Sequence, residues 1–424
     1  MTDPSEALKA QADDAQELRE FESLLKSARL TRLQLPPRIR GASPEVKREQ
    51  YKREIDEMLG RITYPEPFTE GVPQAIPKPF ESSPKHKFCE LEMYFAQMLD
   101  DETLRLVKSI TPERGKKGAF PVMGGIKCLG DLWRTKCFAQ SIQEVVADFC
   151  KRTAHTNEPM SVVDAGSGAF PFMAMYAALQ DPRVRVTCIE HNPRAAAIAK
   201  AIVDKMGLGS QIEVVAGDIL QFKRPKDTFD LVISETMNSA FATEYLQDHM
   251  THLRDFTKPA AKFMPERVEI YAGVSGFWDT APSSGPPKQQ IRLDTSNYYF
   301  LNIEQKLTAS SQGQDNTGSW KKVATWTPEA PLDTIKGQLT VGPEEDKFGF
   351  KIHVASRVYL PGVDQTTGES RPVEIAPERS LITSRQDILN DAYNGLFYTE
   401  GKEVVEFSYK PGELEDAWVS HKRQ

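Results

Sequence analysis

The stretch SVVDAGSGAF, Ser161–Phe170, decides the fold. Its first residues are apolar and β-branched, which suits a buried strand. The run closes on Asp164 and gives way to Gly166 and Gly168. Glycine lets the backbone turn sharply and approach a ligand with no Cβ in the way. PFMAMYAALQ then continues as a helix. Further on, VRVTCIE reads as a second strand, PRAAAIAKAIVDKMG as a helix ending at Gly207, QIEVVAGD as a third strand and FDLVISE as a fourth. Strand and helix alternating over short connections predict a parallel sheet with helices on both faces.

Three strand ends carry acids. A lone Gly-x-Gly occurs in many turns and says little. Glu190, however, closes the second strand 22 residues after Gly168. In doubly wound sheets an acid at that place takes ribose hydroxyls. Asp218 closes the third strand, where a base could be held. Each acid alone reads as a helix cap or a turn acid. Together, at one edge of one sheet, they point to a ligand site.

The rest of the chain bounds the answer. It has 424 residues, 39% hydrophobic and 27% charged, with a net charge of −7. That is an ordinary globular composition, long enough for two domains and an extension. The acidic balance argues against a general nucleic-acid or anionic-membrane binder. The start, MTDPSEALKAQADD, lacks the basic and apolar regions of a secretory leader, and no apolar run reaches the length of a membrane span. Five cysteines, an odd number with no C-x-x-C, argue against a disulfide framework or a zinc site and for a cytoplasmic protein.

Residues 1–84 read as a helical extension and a Pro-rich linker. Leu18, Phe21, Leu25 and Ala28 share one helical face. SPEVKREQYKREIDEML offers Ser43 as N-cap and Pro44 at the first helical position, with i,i+4 pairs Glu49/Arg53 and Lys52/Asp56. The plain expectation for this segment is a solvated helix face, with a regulatory or dimerising arm as the alternative. Residues 85–265 carry the α/β domain. Residues 266–424 change character: Phe348, Phe350, Ile352 and Val354 alternate at period two, and EVVEFSY and ERVEIYAGV read alike. That predicts an antiparallel, barrel-like β domain, with Trp320 and Trp326 in its core.

The fourth strand runs into ISETMNSAFATEYL, Ile233–Leu246. It holds Glu235 and Glu244 nine residues apart with no charge between them. A nicotinamide cofactor needs a G-x-G-x-x-G turn, and here Ala169-Phe170-Pro171 lacks the third glycine. The D-x-G-x-G pattern instead resembles the first motif of class I S-adenosylmethionine methyltransferases. Ser234, Glu235, Met237 and Glu244 resemble the double-E loop of the protein arginine methyltransferase family. GDLWRT, Gly130–Thr135, looks like that family's D-x-x-R-T segment. The resemblance covers about residues 115–270.

The resemblance implies a Rossmann-like methyltransferase domain followed by a β-rich barrel-like domain. It implies S-adenosylmethionine as cofactor and S-adenosylhomocysteine as product, with no metal. Arg134 would hold the cofactor carboxylate, and Asp164, Gly166 and Gly168 its methionine part. Glu190 would take the ribose, and Asp218 with Ile219 the adenine. Glu235 and Glu244 would be catalytic, and Met237 would line the substrate pocket. The chemistry asks for such a pair. Guanidinium stays charged at any working pH and is a poor nucleophile while that charge is delocalised. Two carboxylates can grip its N–H fork, draw charge to some nitrogens and leave one terminal nitrogen able to attack.

Departures bear on the acceptor. The loop reads Thr236, Asn238 and Ser239 where the family carries aromatics. The closest counterpart of its Thr-His-Trp element is LITSRQ, Leu381–Gln386. The dimerisation arm has only a Pro/Ser/Gly-rich counterpart near residues 279–305, although the family implies a homodimer. The expectation is a guanidino N-methyltransferase, with free L-arginine in natural-product biosynthesis preferred as acceptor and protein arginine as the alternative. A catalytically silent cofactor-binding scaffold is the reading from another class. His249 and His252 have metal-like spacing but no third ligand, and read as surface histidines.

Overall fold

The structure is a computed structural model describing residues 4–31, 33, 43–62, 88–110, 120–236, 245–276, 321–341, 350–363, 370–375, 403–411 and 413–423. The chain divides into two units. The first is Met1–Glu235 with Asp248–Met264 and Leu360–Arg371; the second is Thr236–Gln247 with Pro265–Tyr359 and Pro372–Gln424.

The first unit is built on a parallel sheet. Its strands are β1 (Met160–Ala165), β2 (Val184–Glu190), β3 (Ile212–Ala216), β4 (Phe229–Ser234) and β5 (Thr257–Met264), in the order β3-β2-β1-β4-β5. The order reverses at β1, so the crevice at its carboxyl end is the natural ligand site of such a sheet. Register brings the strand ends level. Asp164 lies between Cys188 and Ile233, and Ala165 between Ile189 and Ser234. Val162, Val163, Leu231, Val232 and Ile233 are fully buried. The sequence reading stopped at four strands. β5 escaped it because TKPAAKFM has no β-branched apolar run, carries two lysines and contains Pro259. It is an edge strand whose register with β4 shifts between Phe229 and Leu231, where a missing N–H is tolerated.

Helices α1 (Pro4–Leu30), α2 (Pro44–Gly60), α3 (Glu90–Ala96) and α4 (Asp101–Ser109) come first. They are followed by α5 (Val122–Cys128) and α6 (Leu132–Arg152), which lead into β1. Next come α7 (Phe172–Gln180), α8 (Pro193–Met206) and α9 (Leu246–Arg254). The start and stop signals of α8 are local. Asn192 caps its amides at Arg194 and Ala195, Pro193 opens it, and Gly207 ends it at φ 73°.

The N-terminal helices depart from the solvated face expected of them. Phe21, Leu24, Leu25 and Ala28 of α1 and Tyr51, Ile55, Met58 and Leu59 of α2 are buried. α1 packs on α3 and α5, and α2 on α3, α7 and α8. Polar residues on these faces are satisfied across the interface. The Tyr94 hydroxyl donates to Glu54 at 2.8 Å, Gln50 donates to the other oxygen of Glu54 at 2.9 Å, and Tyr176 donates to Asp56 at 2.8 Å. Asp56 also keeps the expected i,i+4 pair with Lys52. Most of the Pro-rich linker, from residue 63 to 87, lies outside the described residues.

The remaining strands are antiparallel, most of their residues in the second unit. β6 (Arg267–Gly276), β7 (Lys321–Trp326), β9 (Phe350–Val363) and β10 (Ser370–Ile375) form one sheet in the order β10-β9-β6-β7. β8 (Ile335–Val341), β11 (Glu403–Lys410) and β12 (Glu413–Arg423) form another in the order β12-β11-β8. The period-two residues Phe350, Ile352 and Val354 pair with Gly276, Val274 and Ala272 of β6. Trp326 is fully buried, as a core residue should be. A Cβ at Gly337 would lie 2.3 Å from the buried Phe407 ring, so no larger residue fits there. Trp320, Phe348, LITSRQ and the segment around residues 279–305 lie outside the described residues.

Candidate cofactor and active site

The site grows from the end of β1. Gly166 and Gly168 have φ of 76° and 68°, a left-handed backbone that glycine adopts without strain. The amides of Gly166 and Ser167 both donate to the Ile189 carbonyl, at 2.8 and 3.2 Å, tying the turn to β2. A Cβ added at Gly125 of α5 would sit 3.9 Å from the Gly168 Cα, so α5 lies beside this turn.

The acids occupy the strand ends as the sequence expects. Glu190 is buried. Its Oε2 accepts from the Gly168 amide at 2.8 Å and its Oε1 from the Asn192 amide at 2.7 Å. It therefore braces the glycine turn, and each oxygen keeps a second lone pair for a hydroxyl. Asp164 is buried and accepts from the Ala174 amide of α7 at 3.1 Å. Burial pushes its carboxyl up to about 7; the Ala174 bond opposes this, and the charges of Glu190 and Glu235 add to it. Burial likewise raises Glu190 above the usual carboxylate range, against its two backbone bonds. Asp218 caps the short 3₁₀ turn Ile219–Gln221, accepting from the Leu220 amide at 2.9 Å, while Ile219 is buried. The turn-acid reading of Asp218 thus holds in the geometry, and the cap fixes its place at the end of β3.

The resemblance gives Arg134 and Glu235 different partners, and the structure brings the two together. Asp131 caps α6 through the Arg134 amide at 3.1 Å. The Arg134 guanidinium, nine-tenths buried, reaches Glu235 with Nη1–Oε1 at 2.7 Å. Its Nε lies 3.5 Å from Asp131, and its Nη2 donates to the Cys128 carbonyl at 3.4 Å. Ser234 just before Glu235 is fully buried and donates to the Ala165 carbonyl at 3.0 Å, fixing β4 against β1. Met237 and Glu244 lie outside the described residues.

Sequence reading missed His249. It expected a surface histidine, whereas His249 is half-buried, and burial holds its imidazole down to about 4. The charge of Asp218 opposes that shift, and His191 and His252 add to it, so His249 stays neutral at neutral pH. His252 Nε2 is 2.8 Å from the Phe222 carbonyl. Among the described residues no group of three His, Cys, Asp or Glu could hold a metal ion.

Comparisons with known proteins fall on this same region. Residues 162–260 match the family model described as a methyltransferase domain. Histone-arginine methyltransferase CARMER of Culex quinquefasciatus is 28% identical over 151 residues, covering 36% of this chain and 23% of the relative. CARMER of Anopheles gambiae is 28% identical over 151 residues, covering 36% and 22%. The match thus spans under a quarter of the length of these curated relatives. Among solved structures, the Trypanosoma brucei PRMT1 enzyme-prozyme heterotetrameric complex with AdoHcy has a TM-score of 0.41 at 14% identity, covering 70% of this chain and 96% of that one. A crystal structure of PRMT6 has a TM-score of 0.42 at 11% identity, covering 70% and 97%.

The parallel sheet and its strand-end acids lie largely within residues 162–260, the stretch that is similar to a methyltransferase domain. The curated relatives support the resemblance to the protein arginine methyltransferase family drawn from residues 115–270.

The residues present fit S-adenosylmethionine. The two left-handed glycines leave backbone open to close approach. Glu190 has lone pairs left for a ribose diol, and Arg134 offers a buried guanidinium for a carboxylate. Three buried or half-buried acids, Asp164, Glu190 and Glu235, suit a ligand that carries an ammonium and a sulfonium.

Proposed function

We propose that this protein is an S-adenosylmethionine-dependent N-methyltransferase acting on the guanidino group of arginine in a protein. The observation that carries the reading is the Arg134–Glu235 pair. At the end of β4, in a setting with two further acids, Glu235 already holds a guanidinium.

Arg134, Asp164, Gly166, Gly168, Glu190, Asp218 and Ile219 would hold the cofactor, which supplies a methyl group on a sulfonium as electrophile. This chain's own residues do the rest. Glu235, with Glu244 from the same loop, would bind the acceptor fork and draw its positive charge toward the bound nitrogens. The free terminal nitrogen then gains lone-pair character. One of the two carboxylates can receive the proton released after transfer, directly or through water. Holding the two reactants in line contributes up to roughly 7–11 kcal/mol of the barrier reduction.

For the acceptor, the sequence preferred free L-arginine. The relatives that match by name act on histone arginine, which favours a protein acceptor. The deciding experiment offers methyl-labelled cofactor with either an Arg/Gly-rich peptide or free arginine. Label in the peptide is the expected result. Label in free arginine alone would overturn the acceptor assignment, and label in neither, with cofactor bound, would favour the silent scaffold.

A further inference from the structure

The N-terminal helix bears on the cofactor site. Asp14, Glu17 and Glu20 recur every three residues on α1, above the buried Phe21 and Leu24. Each meets a different part of the site's frame. Asp14 pairs with Arg194, which is 4% exposed and sits in the first turn of α8, two residues after the Asn192 that braces Glu190. Glu20 pairs with Lys127 of α5 at 2.8 Å. Glu17 accepts from the Met123 amide at 3.3 Å and also bonds the Val122 amide. Those are the first amides of α5, whose own N-cap position is Pro121 and makes no side-chain cap. A helix start left without partners is costly when it is not solvated, and Glu17 supplies the cap from 106 residues upstream. A second tether holds the same end: Asn192 Nδ2 donates to the Phe120 carbonyl at 3.0 Å. α5 in turn places Gly125 beside Gly168.

We propose that Glu17 and Glu20 are positioning residues that seat α5 against the Gly166–Gly168 turn, with Asp14 tying the same helix to the start of α8, making the N-terminal helix a working part of the cofactor site. This rests on the cofactor reading given above. Glu17 acts through α5 and touches no reactant.

The test uses the full chain, S-adenosylhomocysteine as ligand in calorimetry, and amide exchange of the peptide spanning residues 120–128. Glu17→Ala should speed exchange in that peptide, leave β1 and β2 unchanged, and weaken ligand binding about tenfold, the size of one lost charge-assisted cap. Glu17→Gln keeps an oxygen for the Met123 amide and should stay within about twofold of wild type. Unchanged exchange and affinity in Glu17→Ala, or Glu17→Gln falling as far as Glu17→Ala, would overturn the proposal. If Glu17→Ala does not fold, Glu20→Lys serves. It should raise the cofactor KM without lowering kcat, and adding Lys127→Glu should restore it. A kcat-only effect, or no recovery in the swap, counts against the clamp. If wild type binds no S-adenosylhomocysteine, the cofactor reading fails, while exchange at α5 still decides whether the clamp exists.

Discussion

Arg134 and Glu235 form an ion pair at 2.7 Å inside the first unit, with the guanidinium nine-tenths buried. Breaking such a pair by removing one partner leaves an uncompensated charge and is costly, whereas exchanging one partner for another is cheap. The site can therefore pass Arg134 to a cofactor carboxylate while Glu235 turns to an acceptor guanidinium. Each swap preserves the charge balance, but only if both occur. The expected outcome is ordered binding. An Arg/Gly-rich peptide should bind at least about tenfold more tightly in the presence of S-adenosylhomocysteine than in its absence, a coupling of roughly 1.4 kcal/mol. Equal affinities in calorimetry would show that Arg134 does not hold Glu235 back.

Asp164 gives the protein a pH signature. Its folded pKa is raised to about 7, above the ordinary carboxylate value of 3.8. The folded state therefore keeps a proton that the unfolded state gives up. Its contribution to stability is full below pH 4 and is lost as pH climbs toward 7. Asp164→Asn keeps an oxygen for the Ala174 amide and cannot ionise. The difference in unfolding free energy between the variant and wild type should grow in the variant's favour from pH 4 to 7 and then level off. A flat difference in urea titrations across that range would contradict the buried, acid-flanked setting.

Leu24 tests whether α1 is docked. It is fully buried, so Leu24→Ala should cost about 2–5 kcal/mol in urea unfolding. Arg29→Ala on the same helix breaks only an exposed pair with Asp101 and should cost under about 1 kcal/mol. Equal, small effects would mean that the helix stands in solvent.

Cofactor binding should depend on the fork of Arg134 and not on its charge alone. Lysine presents one point charge and cannot serve Cys128, Asp131 and a carboxylate together. Arg134→Lys should weaken S-adenosylhomocysteine binding by about ten- to a hundredfold, the size of one or two charge-assisted bonds. Wild-type affinity would remove Arg134 from the cofactor site.

Much of this was legible in the sequence because it is local. The turn at Gly166–Gly168, the helix stop at Gly207 and the acids closing β1, β2 and β3 each follow from neighbouring residues. Period two found the strands that pair as β6 and β9. What escaped is non-local. α2 looks solvated because Gln50 and Glu54 are polar, yet Gln50 donates to Glu54 and Tyr94, forty residues away, donates to Glu54 as well. β5 contains a proline that only its edge position permits. The Arg134–Glu235 pair spans 101 positions, so no local pattern could reveal it.

The central claim is that Glu235 binds and polarises a guanidinium acceptor. The most direct measurement is single-turnover methyl transfer to an Arg/Gly-rich peptide by wild type and Glu235→Gln, each first shown by calorimetry to bind S-adenosylhomocysteine. Removing one preorganised charge should slow transfer about 10²–10³-fold, while cofactor affinity holds or rises because Arg134 is released to the cofactor carboxylate. Transfer at the wild-type rate in Glu235→Gln would contradict the account.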